Sequence, residues 1–164
     1  MAIREIVEYP SPVLAQVSTQ VESFDKELKE LVSDMIATMY AAPGIGLAAI
    51  QIGIPKSVIV FDCSEEARSP QSLINPRIIK AEGEVNSEEG CLSIPGYRET
   101  IKRSEKVLVS GFDLEGKPIE ISADGLLSRC LQHEIDHTKG KLIIDRFSRI
   151  KKDMFIKWFQ KKNT

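Results

Sequence analysis

Hydrophobic residues recur at helical spacing in the stretch that follows Asp25. Six apolar positions there lie three or four residues apart and would form one stripe on a helix: Leu28, Leu31, Val32, Met35, Ile36 and Met39. Asp25 is a suitable N-cap residue, and Pro43-Gly44 interrupts the pattern. We therefore predict a long amphipathic helix from Asp25 to about Ala42, with its methionines packed in the core.

Shorter apolar stretches with strand character occupy the middle of the chain. The first 24 residues, broken by Pro10 and Pro12, predict an extended arm with one helical turn near Pro12–Val17. Strands are predicted at Ser57–Asp62, Gln71–Asn75, Arg77–Lys80 and Glu82–Asn86, and a hairpin at Glu105–Asp113 with Lys117–Ala123. Residues 88–96 contain two adjacent glutamates, a glycine and a Pro-Gly pair. This composition indicates a rigid loop rather than a strand.

Two further helices are predicted in the last third of the chain. One begins near Asp124, continues through the apolar run Leu126–Leu131 and ends at Gly140, and Leu142–Ile144 then forms a short strand or connection. The other covers Arg146–Thr164, with five apolar residues on one face: Ile150, Met154, Phe155, Trp158 and Phe159. The pattern predicts an α+β fold in which antiparallel strands wrap around a central helix, with a long helix in the N-terminal half and a C-terminal helix. We expect residues 1–164 to form one catalytic domain.

Composition narrows the class of protein. The 164 residues are 42% hydrophobic and 28% charged, with a net charge of −2, so there is no overall nucleic-acid signal. The N-terminal region lacks the apolar segment of a secretory signal, and no apolar run reaches the length of a membrane span. Three cysteines in no framework spacing fit a reducing cytoplasmic compartment, and we expect no membrane association.

The candidate chemistry centres on residues 132–137, which read H-E-x-x-H after an initial glutamine. His133 and His137 are the two histidines of the chain and would share one helical face, where they could bind one divalent ion. Glu134 is rotated away from that row but can reach a water beside the ion, as a general base must. The alternative is a pair of partly buried polar residues without a ligand.

A catalytic site of this kind needs about three protein ligands and an open position. Cys130 lies on the same helical row but roughly 10 Å from His137, so we expect it to pack as a small apolar group. The third ligand must come from Cys63, Cys91 or a carboxylate. Cys91 is the stronger candidate, because it lies on the predicted rigid turn.

Two other segments carry possible function. Gly44–Gln51 is apolar and glycine-rich, so its backbone can approach a ligand closely, and Gln51 would either make a core hydrogen bond or donate to an oxyanion. Residues 146–164 contain seven basic residues against one acidic residue, Asp153. They form either a solvated helix face or a contact surface for ribosomal RNA.

Three motifs together resemble those of the peptide deformylase family. They are GIGLAAIQ at Gly44–Gln51, EGCLS at Glu89–Ser93 and QHEIDHTKG at Gln132–Gly140, and the resemblance covers essentially the whole chain. It implies a metal-dependent hydrolase that removes the formyl group from the N-terminal formylmethionine of nascent polypeptides. The alternatives are an H-E-x-x-H metallopeptidase that cleaves internal amide bonds and a non-enzymatic domain with a structural metal.

The resemblance also assigns roles to individual residues. It implies that Cys91, His133 and His137 bind the metal, that Glu134 is the catalytic acid and base, and that Gln51 and the Leu92 backbone N–H are oxyanion donors. The substrate-binding positions are Gly44, Ile45, Gly46, Gly90, Arg98, Leu126 and Cys130. The implied native ion is Fe(II), with Ni, Co or Zn as possible replacements. The implied partners are N-formylmethionyl nascent peptides and, through the basic C-terminal helix, the ribosome.

The chain departs from the family pattern at three positions. Thr138 follows the second histidine where the family commonly has leucine. Ser87 and Arg129 are polar at positions that usually contribute apolar lining to the methionine pocket. These differences leave the implied chemistry intact and bear on the depth and selectivity of the pocket.

Overall fold

The computed structural model describes residues 1–164, which form three α-helices, seven strands and three short 3₁₀ helices. The helices are α1 (Lys26–Ala41), α2 (Gly125–Thr138) and α3 (Arg149–Lys162). The strands are β1 (Gly46–Ala48), β2 (Val58–Phe61), β3 (Gln71–Glu82), β4 (Val85–Cys91), β5 (Ile94–Arg103), β6 (Lys106–Phe112) and β7 (Pro118–Ala123). The 3₁₀ helices are Pro12–Ala15, Ala49–Ile52 and Ile143–Arg146.

All strand pairs are antiparallel, and they form two sheets. Five strands pair in the order β1-β2-β3-β6-β7, and β4 and β5 form a separate hairpin. The predicted α+β class is confirmed. No helix combines the length and apolarity that spanning a bilayer requires.

Helix α1 matches its sequence prediction closely. The Asp25 side chain accepts a hydrogen bond from Leu28 N at 3.0 Å and so caps the helix. The predicted stripe is buried, apart from the half-buried Ile36, and packs with residues of β1, β2 and β3 in one apolar cluster. This cluster holds the segment before β1 against the larger sheet.

Helix α2 lies between the larger sheet and the β4–β5 hairpin. Its apolar residues Cys130, Leu131 and Ile135 pack on β2, β3 and β6. Its polar face meets β4 and β5 through two contacts: His133 with the Glu89 carboxylate, and Asp136, which accepts from Arg103. A third cluster, which includes Ile94 and Phe155, joins the hairpin to α3.

The middle strands differ from the sequence prediction. Residues 71–82 form one strand with an irregularity after Ile74, instead of two strands at Gln71–Asn75 and Arg77–Lys80. The positive φ of 52° at Asn75 lets the strand bend without breaking. The predicted strand Glu82–Asn86 was also wrong, because Gly83 and Glu84 form the connection between β3 and β4.

The predicted rigid loop at residues 88–96 was wrong as well. It is the tip of the β4–β5 hairpin, in which Glu88 pairs with Thr100 and only Leu92 and Ser93 lie outside the strands. The period-two pattern was hidden because β4 faces a polar site: buried Ser87 and Glu89 alternate with exposed Asn86 and Glu88. Polar residues that are buried in this way give no apolar alternation in the sequence, so hydropathy does not reveal the strand.

The C-terminal region needs two further corrections. Residues 143–146 form a 3₁₀ helix, and α3 starts at Arg149 rather than Arg146. The face of α3 that packs carries Phe155, Trp158 and Phe159, whereas Ile150 and Met154 are 74% and 55% exposed. The predicted single face was therefore wrong: three of its five residues pack against the protein, and the other two face solvent.

Candidate metal centre

Three donor atoms converge where the end of β4 meets the C-terminal half of α2. Cys91 Sγ and the Nε2 atoms of His133 and His137 form a cluster able to bind a metal, with donor atoms within 4.8 Å of one another. His133 and His137 share a face of α2 because they lie four residues apart. Cys91 is the last residue of β4, where the chain turns beside that face.

The donor spacing fits a single tetrahedral ion. Metal–nitrogen bonds of about 2.0–2.1 Å and metal–sulfur bonds of about 2.3 Å place two nitrogens about 3.3 Å apart, and nitrogen and sulfur about 3.6 Å apart. The two Nε2 atoms are 3.3 Å apart, and Cys91 Sγ lies 3.4 Å from His137 Nε2. Of the sequence candidates for the third ligand, Cys91 is in place, whereas Cys63 contacts Cys130 instead.

Charges around the cluster favour the metal-binding form of the thiol. Burial raises the pKa of Cys91, but the His137 and His133 rings outweigh burial and hold that pKa well below its usual range. A thiolate is the form of cysteine that binds metal ions. The lowered pKa therefore favours the Cys91 thiolate, which can bind a cation.

A buried ion network supports the histidine ligand from behind. Glu89 Oε1 lies 2.9 Å from His133 Nδ1, which leaves Nε2 directed at the cluster. Arg103 donates to both oxygens of Glu89, at 2.7 and 2.8 Å, and to Asp136 at 2.7 Å. Arg146 also donates to both oxygens of Asp136, at 2.6 and 2.8 Å.

This network shifts the pKa values of its two carboxyl groups. Burial raises the pKa of Glu89, but Arg103 and His133 outweigh burial and hold that pKa at about 2. Burial likewise raises the pKa of Asp136, and Arg146 and Arg103 reverse the shift to a net lowering. Sequence reasoning missed this network, because Arg103 and Arg146 are distant in sequence from the motif and carry no distinguishing spacing.

Glu134 lies in a protein environment that favours its protonated form. It is 4% exposed, and burial raises the pKa of its carboxyl group. Its Oε1 atom has no hydrogen-bond partner in the protein. A Cβ atom placed on Gly46 would lie 2.5 Å from Glu134 Oε2, so the glycine at this position leaves room for the carboxyl group. The carboxyl group thus lies at the cavity with its buried Oε1 unpaired.

Gln51 is fixed with its amide nitrogen towards the cluster. Its Oε1 accepts from Ala48 N at 2.9 Å, which sets the amide orientation. Its Nε2 donates to Ser93 Oγ at 3.1 Å and lies 3.6 Å from Cys91 Sγ. The core hydrogen bonds expected of Gln51 are present, and its Nε2 faces the cluster; its role as an oxyanion donor stays a prediction.

A cavity of about 1370 Å³ opens beside the cluster. Its walls come from the N-terminal arm, the segment around Pro43, the β4–β5 hairpin and α2. It is lined by all seven predicted substrate-binding residues: Gly44, Ile45, Gly46, Gly90, Arg98, Leu126 and Cys130. Gln51, Cys91, Leu92, His133 and Glu134 also line it, whereas His137 lies behind the wall. Their individual roles stay predictions.

The departure at Thr138 is accommodated locally. Its side chain is buried, and its hydroxyl group donates to the carbonyl oxygen of Ile135 at 2.6 Å. Its own carbonyl oxygen accepts from Ser18 N at 2.9 Å. The hydroxyl is satisfied within the last turn of α2, away from the cavity lining.

Comparison with known proteins gives a consistent result. Residues 3–153 match the sequence profile of the family described as polypeptide deformylase. The chain is 51% identical over 164 residues to a peptide deformylase of Thermodesulfovibrio yellowstonii, covering 99% of both chains. It is 48% identical to one of Brucella suis, covering 98% of this chain and 94% of the relative.

Solved structures agree in fold. A peptide deformylase from Legionella pneumophila superposes with a TM-score of 0.93 at 44% identity, covering 99% of this chain and 96% of the other. One from Ehrlichia chaffeensis, in complex with actinonin, superposes with a TM-score of 0.92 at 39% identity, covering 99% and 98%. The likeness extends over both sheets and all three helices.

Proposed function

Because the chain belongs to the peptide deformylase family, we propose that Cys91, His133 and His137 hold the catalytic ion and that Glu134 moves the protons. The chain is a hydrolase that removes the formyl group from the N-terminal formylmethionine of nascent polypeptides. The observation that carries the assignment of residues is the donor spacing: 3.3 Å between the two Nε2 atoms and 3.4 Å between Cys91 Sγ and His137 Nε2. The native ion is Fe(II), with Ni, Co and Zn as alternatives for this mixed sulfur and nitrogen ligand set.

When bound, a divalent ion at this site supplies Lewis acidity and lowers the pKa of a coordinated water towards about 7. Glu134, which lines the cavity beside the cluster, takes a proton from the water that attacks the formyl carbon. It then returns the proton to the departing amine. Burial raises the pKa of Glu134, which favours the protonated form that the second step needs.

We assign two donors to the oxygen of the formyl group as it becomes negative. Gln51 Nε2 faces the cluster, with its orientation set by the bond from Ala48 N. The Leu92 backbone N–H follows the ligand Cys91 directly and donates to no acceptor within the protein. Losing one donor of this kind typically raises the barrier by about 2.7–4 kcal/mol.

Steric exclusion gives selectivity for formyl over larger acyl groups. Gly44 and Gly46 line the cavity, and a Cβ atom on either would collide with Leu92 or Glu134, at 2.8 and 2.5 Å. The backbone of this segment is thus packed tightly against the catalytic groups. A formyl group carries hydrogen where an acetyl group carries methyl, so an acetylated peptide is excluded.

The test compares metal content with formate release. Glu134→Ala is expected to retain the ion and lose turnover by about 10²–10⁴-fold, the usual contribution of a general acid–base group. Cys91→Ser is expected to lose the ion. Both are assayed after anaerobic purification with formyl-Met, acetyl-Met and end-blocked peptides of the same sequence. Near-normal turnover in metal-loaded Glu134→Ala would remove Glu134 as the base, and unchanged metal content in Cys91→Ser would remove Cys91 as a ligand.

We further propose that α3 contacts the ribosome in the cytoplasm, where nascent chains emerge. Three basic residues of the C-terminal segment are used internally: Arg146 pairs with Asp136, Lys151 donates to Thr100 O, and Lys162 donates to Pro95 O. Four others, all exposed, have no protein partner: Arg149, Lys152, Lys157 and Lys161. Such a surface attracts phosphate groups at a strength that falls with salt.

Charge reversal at Arg149, Lys152 and Lys157 tests this contact better than truncation, because Phe155 of α3 is part of the core. Sedimentation with ribosomes is expected to weaken while deformylation of free peptides persists. Unchanged co-sedimentation at low salt would show that these residues do not contact the ribosome.

We also propose that residues 1–164 act as one catalytic domain, because the arm, α1 and the hairpin all border the same cavity.

A further inference from the structure

Two polar side chains line the cavity and have no partner in the protein. Ser87 is 3% exposed, and Arg129 is half-buried. Two other arginines near the cavity and the cluster are engaged: Arg98 pairs with Glu88, and Arg103 pairs with Glu89. The Arg129 guanidinium and the Ser87 hydroxyl make no comparable contact. Both side chains can therefore donate into the cavity, so this pair is suited to an acceptor that a bound molecule supplies.

The alignment of β4 with α2 places these two side chains at the same level. Glu89 contacts His133, and two residues later Cys91 contacts His137, so the strand and the helix run in the same direction. Two strand residues advance about 6.8 Å and four helix residues about 6 Å. Ser87 lies two residues before Glu89, and Arg129 lies four residues before His133, so these two residues should lie beside each other as well. The pair lies about one helical turn beyond His133, on the side away from His137.

Under the proposed function, we assign the first side chain of the substrate to this level, because it lies one turn of α2 from the proposed metal ligands. It is bordered by the apolar residues Ile45, Leu126 and Cys130, which also line the cavity. A thioether is only a weak acceptor, so methionine leaves both donors unsatisfied. Oxidation to methionine sulfoxide adds an oxygen at the sulfur position and makes the side chain polar. A sulfoxide oxygen can accept from a hydroxyl and a guanidinium together.

We propose that Ser87 and Arg129 form a subsite for an oxygen acceptor on the first side chain, which lets the enzyme deformylate chains that begin with formylmethionine sulfoxide. This inference rests on the proposed function, since it concerns the same pocket. The aliphatic stem of Arg129 still offers apolar contact to an unoxidised methionine. The pair thus widens the range of accepted first residues and leaves the chemistry at Glu134 as described.

The experiment measures kcat/KM for three peptides that differ only in the first residue: formylmethionine, formylmethionine sulfoxide and formylnorleucine. The native enzyme is expected to use the sulfoxide within about fivefold of methionine. In the double variant Ser87→Ala and Arg129→Met, the sulfoxide-to-norleucine ratio is expected to fall about tenfold to a hundredfold, the range for losing hydrogen bonds to a charged group. Arg77→Met, which removes an exposed cation at a separate groove, is the matched control and should keep the native ratio.

Several outcomes overturn the proposal. A native enzyme that rejects the sulfoxide by more than about a hundredfold has no such subsite, and an unchanged ratio in the double variant removes the assigned residues. A second peptide series compares Glu with Gln after formylmethionine. If the double variant loses only a preference for Glu, the guanidinium binds a later carboxylate and the assignment to the first side chain is wrong. Absence of formate release from all peptides would instead contradict the proposed function.

Discussion

Helices α1 and α2 have similar lengths and bury opposite kinds of side chain. Helix α1 buries five apolar residues and one polar residue, Thr38. Helix α2 buries nine residues, of which six are polar: Ser128, Gln132, Glu134, Asp136, His137 and Thr138. The first helix needs only volume and apolarity on its inner face, whereas the second needs a partner for every buried donor and acceptor.

The partners of α2 come from distant parts of the chain. Arg103 of β5 binds Asp136, and Ser104 exchanges two hydrogen bonds with Gln132, both at 2.9 Å. Of three buried side-chain polar atoms without a partner in the protein, two belong to α2: Glu134 Oε1 and His137 Nδ1. The polar helix is therefore satisfied almost everywhere except at the groups assigned to the site. This is the arrangement that fixed catalytic geometry requires.

Arg103→Met should break this arrangement most severely. The variant leaves the Glu89 and Asp136 carboxylates buried with fewer partners, and removal of one member of such a network costs about 3–5 kcal/mol of unfolding free energy. Glu89 would also hold His133 less firmly, so metal affinity should fall about 10–100-fold. Urea unfolding and a competitive chelator titration measure the two effects. Lys102→Met, at an exposed surface pair, is the control and should lie within about 1 kcal/mol of native.

The same variant should change the acid response of the protein. A carboxyl group with a lowered pKa stabilises the fold fully above its ordinary pKa and loses that contribution as the pH falls towards its folded pKa. For Glu89 the window runs from 4.5 down to about 2. The difference in unfolding free energy between native protein and Arg103→Met should therefore be constant near neutrality and shrink below about pH 4.5. A constant difference down to pH 3 would contradict the role given to this network.

Matched substitutions on the two helices sharpen the contrast at a smaller scale. Met35→Leu preserves volume on the apolar face of α1 and should change unfolding free energy by less than about 1.5 kcal/mol. Gln132→Met preserves shape on α2 but removes the bonds to Ser104, and should cost about 1–3 kcal/mol or more because Ser104 is left unpaired. Urea unfolding of both variants at one pH makes the comparison. Equal effects would mean that the polar contacts of α2 contribute no more than apolar packing.

The same contrast explains which parts of the fold could be predicted. Helix α1 and the β6–β7 hairpin follow from apolar periodicity, because their inner faces are hydrophobic and their outer faces are polar. The β4–β5 hairpin was missed because its inward residues Ser87 and Glu89 are polar. Their burial depends on α2, which lies some forty residues further along the chain. Local sequence carries no trace of that packing.

For the site, motif spacing indicated His133, Glu134 and His137. Local sequence left Cys91 and Gln51 as candidates, and the resemblance assigned their roles and added Leu92. The structure brings the donor atoms together, and all of these residues except His137 line one cavity. The sequence could not reveal the buried ion network behind the site. Nothing in the sequence around Arg103 and Arg146 shows that both bind Asp136 in the folded protein. Such residues are recognisable only by their burial and geometry.

The donor set joins a strand to a helix, since Cys91 is separated from His133 and His137 by more than forty residues. If an ion bridged them, it would bind the native chain and not the unfolded one, so by mass action it would act as a removable cross-link. Each tenfold rise of free ion above its dissociation constant adds about 1.4 kcal/mol to the unfolding free energy. The melting temperature of this protein should accordingly rise with the concentration of free ion, and a chelator should lower it even when no peptide substrate is present.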